Sequence, residues 1–427
     1  MATVEEFYTG TLTGSGTITD GISVDIRVSD QASANLTFPG NGTFSGTSYN
    51  DISVTLGQTD TFNATPQQIS GSVNQPFTET IDLGSITLGI DFSATINVTV
   101  TPTQIIETGT VTASGSGSGS FTVSGTLSLQ TPPPDDFTAS GTSDILFRND
   151  ATGDAGFFAI SNGASTGWND VSASSTAYSI VGAGDFYGTG TTDILYRDAA
   201  NGDTGFFQIN NGANAGWVDI GASSTAYSVV GVADFTGNGI DDVLFRNNAT
   251  GDTGFYAIVN GVNTGWQDVG ASSIAYSVVG VGDFTGNGTE DILYRNNATG
   301  DTGFYAIVNG ANAGWHDVGA SSTAYSAVGV GDFLGNGTDD ILYRNNSNGD
   351  TGFYALSNGV ITGWHDIGAS STAYSVVGTG DYLGNGVSDV LFRNNTTGDT
   401  GFYALSNGVN AGWHDIGASS TAYHVAS

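Results

Sequence analysis

The chain of 427 residues has no cysteine, so it can form neither a disulfide framework nor a thiolate metal site. Charge is scarce: 11% of residues carry it, against roughly 25% in an average soluble domain. Positive charge is scarcer still, with seven basic residues, all arginine, facing 41 acidic ones for a net charge of −34. That balance excludes nucleic acid and anionic membrane as partners, since both call for basic patches. No run of about 18 apolar residues occurs, which excludes a transmembrane helix. No convincing amphipathic helix can be drawn either. The opening MATVEEFYTG is acidic and strand-like and is not a secretory leader as written.

High net charge also describes disordered chains, but those lack aromatic and β-branched residues, and here aromatics make up 11% and β-branched residues are abundant. Glycine, serine, threonine and asparagine fill the places that lysine and glutamate take elsewhere. Such a composition suits strands and turns and disfavours helices. The fold class expected is therefore all-β.

An internal repeat sets the architecture. Tryptophan stands at 168, 217, 266, 315, 364 and 413, with a spacing of 49 throughout. Arg148, Arg197, Arg246, Arg295, Arg344 and Arg393 keep the same step, and so do Tyr178, Tyr227, Tyr276, Tyr325, Tyr374 and Tyr423. Within one unit, Asp291–Asn296, Thr302–Val308, Trp315–Val318 and Ala324–Val330 read as strands separated by Gly, Asn, Ser and Asp clusters. Four antiparallel strands in 49 residues is the size of one propeller blade. A solenoid is the competing architecture, but it needs atypical polar end caps, and the terminal units look like the middle ones. The first unit opens at Asp136 and the last stops at Ser427, three residues short of the next Asp. A six-bladed β-propeller over 136–427 follows, closed by pairing the C-terminal strand into the blade that starts at Asp136.

Residues 1–130 lack this period. Ile22, Val24, Ile26 and Val28 share one face, as do Phe92, Ala94, Ile96, Val98 and Val100, each with polar residues between. Such half-buried strands predict an N-terminal β-sandwich, with a role in assembly or anchoring. TPPPDD, running into Asp136, predicts a short stiff linker at 131–135.

The six units share a nine-residue loop that begins and ends with Asp and has Gly at its sixth position, as in DFTGNGTED from Asp283 to Asp291. Short oxygen-bearing side chains on a tight Gly-bearing bend suit a hard cation such as Ca²⁺. The candidate ligands are Asp234, Asn238 and Asp242 in the third unit, and Asp283, Asn287 and Asp291 in the fourth. Asp332, Asn336 and Asp340 in the fifth and Asp381, Asn385 and Asp389 in the sixth rank behind them. The first two units carry Ser140 and Thr189 in place of Asn. The alternative is a plain turn, because Asn-Gly is the strongest two-residue bend signal and Asp can cap a turn with its own side chain.

GDFTGNGTEDILYRN resembles the FG-GAP/VCBS-type repeat of integrin α-like propellers over 136–427, and the resemblance does not reach the first 130 residues. It implies a propeller fold, an interaction platform, and calcium held in the fourth unit by Asp283, Asn287, the Thr289 carbonyl and Asp291. The chain departs from that pattern at loop position three, which is Thr, Tyr or Leu: Thr138, Tyr187, Thr236, Thr285, Leu334 and Leu383. Two carboxylates per loop imply weak binding, on the order of 10⁻⁴–10⁻³ M.

Other recurring groups read mainly as architecture. Each Arg pairs, on this reading, with the Asp of Trp-x-Asp: Asp170, Asp219, Asp268, Asp317, Asp366 and Asp415. His316, His365 and His414 tempt a zinc reading but fall on different blades, so exposed or edge histidines are expected. One Trp per blade reads as packing between blades, with stacking on a sugar ring as the alternative. Phe157 and its counterparts Phe206, Phe255, Phe304, Phe353 and Phe402, each followed by Phe or Tyr, read as strand residues facing the two sides of a blade.

No nucleophile–base pair or phosphate loop appears, so no enzyme is expected. The expected function is a non-catalytic extracellular or cell-surface binding and adhesion protein, lectin-like, with a glycan or another cell-surface ligand as partner and six equivalent surfaces that add avidity. The competing reading is a structural subunit of a surface layer, matrix or filament that binds copies of itself through its N-terminal domain.

Overall fold

A computed structural model describes backbone and side chains over residues 133–426 and, over residues 3–130, chiefly the backbone of the strands. The chain divides into two compact units, Met1–Thr131 and Pro132–Ser427. In the first unit ten strands pair into one sheet, in which Thr3–Ile18 runs antiparallel between Ile22–Thr37 and Gly119–Gln130. The expected sandwich turns on how layers of side chains pack, and that lies outside the described residues.

The second unit is a six-bladed β-propeller, each blade a four-stranded sheet. Blade 4 shows the pattern. Ser277–Gly282 is innermost, followed outward by Asp291–Asn296, Asp301–Val308 and Ala311–Ala320. The innermost strands of successive blades pack on one another around the axis. The blade therefore starts one strand earlier than the sequence unit suggests: Ser326–Gly331, which overlaps the expected fourth strand Ala324–Val330, opens blade 5.

Burial explains why these segments are strands. Asp291–Arg295 lies inside on both faces, because a blade is sandwiched between two others. Phe304 is fully buried while Tyr305 is half-buried, so the aromatic pair does face the two sides of the strand. Core clusters straddle blade boundaries: Phe235, Leu244 and Phe255 of blade 3 pack with Ile292, Tyr294 and Ile307 of blade 4. Each such side chain contributes about 1.5–3 kcal/mol by leaving water, so a blade cannot keep its core without its neighbours. The hairpin to the outer strand turns through Asn309 (φ 49°) and Gly310 (φ 78°), the left-handed pair that a tight two-residue hairpin requires.

The ring closes on itself. His424–Val425 adds the innermost strand to blade 1, pairing Val425 with Phe147 and His424 with Arg148. Two further circles of hydrogen bonds run through all six boundaries. In one, the hairpin glycine donates to the loop of the preceding blade, from Gly310 N to Phe235 O at 2.9 Å and, across the closure, from Gly163 N to Tyr382 O at 2.9 Å. In the other, loop position eight donates to position one of the preceding blade, ending with Ser143 N to Asp381 O at 2.8 Å.

Candidate functional site

Five of the six acidic loops join an innermost strand to the next strand out; in blade 1, whose innermost strand is the C-terminal one, the loop leads into Ile145–Asn149 from its N-terminal side. In the fourth loop, Asp283 Oδ1 accepts from Gly286 N (2.7 Å) and Asn287 N (3.1 Å), and Oδ2 accepts from Gly288 N (2.7 Å). Asn287 Oδ1 accepts from Thr289 N at 2.8 Å. Asp291 turns inward, and its Oδ1 takes Ile307 N at 2.8 Å, tying the loop to the third strand. The same scheme places Asp234, Asn238 and Asp242 in blade 3, Asp332, Asn336 and Asp340 in blade 5, and Asp381, Asn385 and Asp389 in blade 6. Most of the candidate oxygens thus hold the loop's own backbone.

What remains is a buried carboxylate oxygen at position nine. Oδ2 of Asp193, Asp242 and Asp291 is sealed from water without a well-formed hydrogen bond, although the nearby N–H of the residue after position one eases each carboxylate, as do the Thr236 side chain for Asp242 and the Thr285 N–H for Asp291. Burial pushes Asp144, Asp291, Asp340 and Asp389 up to about 7 and Asp193 and Asp242 up to about 8, and the position-one carboxylate adds to the rise. Among the described residues, no three Asp, Glu or His side chains converge as metal ligands. The donors that a cation would meet in a loop are two carboxylates and, in the last four units, one amide.

Loop position eight, which the sequence reading passed over, carries bonds between blades. Asp241 Oδ2 accepts from Asp185 N (2.7 Å) and Asp339 Oδ2 from Asp283 N (2.9 Å). The room for Asp339 exists because Gly282 faces it; a Cβ there would stand 2.6 Å from Asp339 Oδ2. At the boundary of blades 3 and 4 the facing residue is Ala233, and position eight is the longer Glu290, with Oε2 buried and unpaired. No bond to a backbone N–H marks these residues in the sequence; only comparison across the six boundaries could have found them.

The expected Arg–Asp pairs are not what the arginines form. Asp170, Asp219, Asp268, Asp317, Asp366 and Asp415 are all exposed, whereas the six propeller arginines are 1–4% exposed. Arg295 donates to Gly300 O, Thr302 Oγ1, Ser321 Oγ, Ser322 O and Tyr325 O at 2.7–3.3 Å. Its guanidinium lies 5.1 Å from the ring centre of Tyr343 in blade 5. The planar fork suits this, since it can reach a turn, the strand behind it and the chain crossing to the next blade at once. Among the described residues one ion pair reaches an arginine, Arg148 to Asp150 at 3.5 Å. Each exposed Asp instead caps a bulge in its own strand, as Asp317 Oδ1 does for Gly319 N at 2.9 Å.

Tryptophan does not pack between blades in the expected way. All six are 39–42% exposed, on the outermost strands. Trp315 lies over Gly303 of its own blade, where a Cβ would sit 2.2 Å from the indole Cζ2. The indole thus covers a strand position that has no side chain of its own. Its edges meet Tyr305 (centroids 5.3 Å, T-shaped) and Tyr276 (5.8 Å, T-shaped). Tyr294, Tyr305, Tyr276 and Trp315 line an open groove with Ser272 and Ser273, which arrive from blade 3. Tyr276 Oη donates to Asp301, and that hydrogen bond is the main reason its hydroxyl titrates above its usual range, with the charges of Asp301 and Asp317 adding. The histidines are half-buried: His316, His365 and His414 each stack on a phenylalanine ring of the same blade at 4.8 Å. His316 also faces the hairpin glycine of the next blade, Gly359.

No family model and no curated protein matches the chain. Among solved structures, a chain of the Photorhabdus luminescens Tc holotoxin pore is similar at 9% identity and a TM-score of 0.41, over 93% of this chain and 29% of that one. The described residues hold no helix long and apolar enough to cross a membrane.

Proposed function

We propose that this is a non-catalytic binding and adhesion protein of the cell surface or extracellular space, built on FG-GAP/VCBS-type repeats, whose propeller rim binds glycans. One observation carries the reading: six tryptophans, each about 40% exposed, sit beside exposed carboxylates at equivalent places around the ring. Aromatic faces stack on pyranose rings, carboxylates accept sugar hydroxyls, and six weak contacts gain avidity when a polymeric ligand spans them. The glycine beneath each indole holds the ring in place before any ligand arrives, which lowers the entropy lost on binding.

Calcium belongs to the same proposal as a stabiliser. In the fourth loop it would be met by Asp283, Asn287, the Thr289 carbonyl and Asp291, with Asp291 Oδ2 the least engaged donor. So many oxygens already hold backbone that the site fits a weakly bound ion, on the order of 10⁻⁴–10⁻³ M.

The test is a glycan array probed with the full chain, alongside a variant with all six tryptophans replaced by alanine. Binding by the native chain and loss in the variant support the reading. An empty array, with polymers visible by negative stain at high concentration, overturns it in favour of a self-assembling surface subunit.

A further inference from the structure

All six arginines of the propeller are buried, so its exposed surface carries no lysine or arginine, while its carboxylates are many. Apart from histidine, no positive side chain is available there to meet a carboxylated or sulfated sugar. The groove of blade 4 puts this asymmetry beside the aromatic platform. Asp317 lies two residues from Trp315 on the same strand, and strand periodicity puts both on one face. Asp301 holds the Tyr276 hydroxyl at the same groove. On the inner side, the Arg246 guanidinium already occupies the neighbourhood of Tyr294, 5.2 Å from its ring centre. A cation entering the groove is therefore repelled from the inner wall and drawn to the outer lip, where Asp317 is exposed.

We infer that the rim grooves select glycans bearing free, protonated amino groups, with Trp315 and its five counterparts under the sugar ring and Asp317 and its counterparts facing the ammonium. The inference rests on the glycan reading and narrows it to one class, a glucosamine-type polymer over neutral or acidic ones. The arrangement recurs in every blade: Trp168 with Asp170, Trp217 with Asp219, Trp266 with Asp268, Trp364 with Asp366, and Trp413 with Asp415. Single contacts between an ammonium and an exposed carboxylate are weak, so selectivity comes from their repetition along a polymer. An amine over the indole adds a cation–π attraction that an acetylated nitrogen cannot supply.

The experiment titrates the full chain with glucosamine oligomers and polymer, their N-acetylated equivalents, and glucose oligomers, at low and high salt. Two variants accompany it. One replaces Asp170, Asp219, Asp268, Asp317, Asp366 and Asp415 with Asn, which keeps the oxygen that caps each bulge. The other replaces the six tryptophans with alanine. The expected result is binding of the free-amine polymer at least about tenfold tighter than its acetylated form, a preference that falls at high salt and in the Asn variant. The alanine variant should lose all three ligands. Equal affinity for amine and acetylated forms overturns the inference and leaves the glycan reading standing. Amine-selective binding that survives in the alanine variant overturns the assigned place, because bulk charge alone would then be responsible. No binding of any sugar overturns both readings.

Discussion

Asp283 and Asp317 belong to the same blade and have opposite fates. The first is half-buried and spends its oxygens on three backbone N–H groups of its own loop. The second is exposed and gives one oxygen to Gly319 N, leaving the rest to solvent. The contrast extends through the molecule. Near the axis, carboxylates and guanidiniums are enclosed and hydrogen-bonded to backbone. At the rim, aromatic rings and carboxylates are left half in water. Residues that look most like ligands serve as construction near the axis, and those that look like core are partly free at the rim. Polar groups removed from water must be satisfied, so the interior tolerates little change, while rim groups can be altered at small cost to folding.

The largest effect that would break this contrast is expected at Arg295. Replacing it with Ala strands Gly300, Ser322 and Tyr325 carbonyls at the crossing to blade 5 and should cost about 3–5 kcal/mol in chemical denaturation. Lysine should not restore the loss, because one ammonium cannot span the forked set. Full rescue by lysine would mean that charge alone, and not geometry, holds the crossing. Asp291→Ala comes next, at about 2–3 kcal/mol, since it leaves Ile307 N unpaired in the interior. Asp317→Ala at the rim should stay within about 0.5 kcal/mol.

The pH dependence sharpens the contrast further. The position-nine carboxylates titrate at about 7 to 8 in the folded chain, well above the ordinary carboxylate value that the unfolded chain would show. The folded state then binds the proton more tightly, so this contribution is fully present below about pH 4 and is lost as pH rises through about 7 to 8. The midpoint of thermal unfolding should accordingly rise by several degrees between pH 9 and pH 6. Millimolar CaCl₂ should raise the midpoint more at pH 9 than at pH 6, because cation and proton relieve the same charges. A midpoint equal in EGTA and CaCl₂ at both pH values would remove calcium from the loops.

The sequence was most legible where structure is local or repeated. The step of 49 counted the blades, clusters of Gly, Asn, Ser and Asp marked the breaks between strands, and the phase of the chain ends indicated closure. It was least legible where a side chain's fate depends on another blade. Arg295 and Asp317 stand at fixed places in one unit, yet nothing in their order says that the guanidinium turns to Ser321 and Tyr325 instead of the carboxylate. The loop oxygens read two ways for a related reason: Asp283 and Asn287 have the spacing of a cation site and also the spacing of a self-capped turn. Trp315 is half-exposed because Gly303, on the adjacent strand, gives it a flat seat; the glycine is plain in the sequence, but the pairing that aligns the two is set by a bulge.

Trp315→Ala is a modest change in stability and the most telling in function. A fully buried tryptophan costs about 3–5 kcal/mol when truncated, and one 41% exposed should cost nearer 1–2. Part of that cost is the uncovering of Gly303, whose backbone then meets water. Gly303→Ala should be worse despite its smaller size, since the new methyl would lie 2.2 Å from Trp315 Cζ2 and 2.6 Å from the His316 carbonyl oxygen. The tryptophan can swing away, but the carbonyl belongs to the outer strand and cannot move without breaking its ladder. The double variant should therefore stay as unstable as Gly303→Ala alone. If it instead recovers to the level of Trp315→Ala, the indole is the true obstruction, the outer strand is more pliable than its hydrogen bonds imply, and the rim loses its claim to hold a preformed aromatic surface.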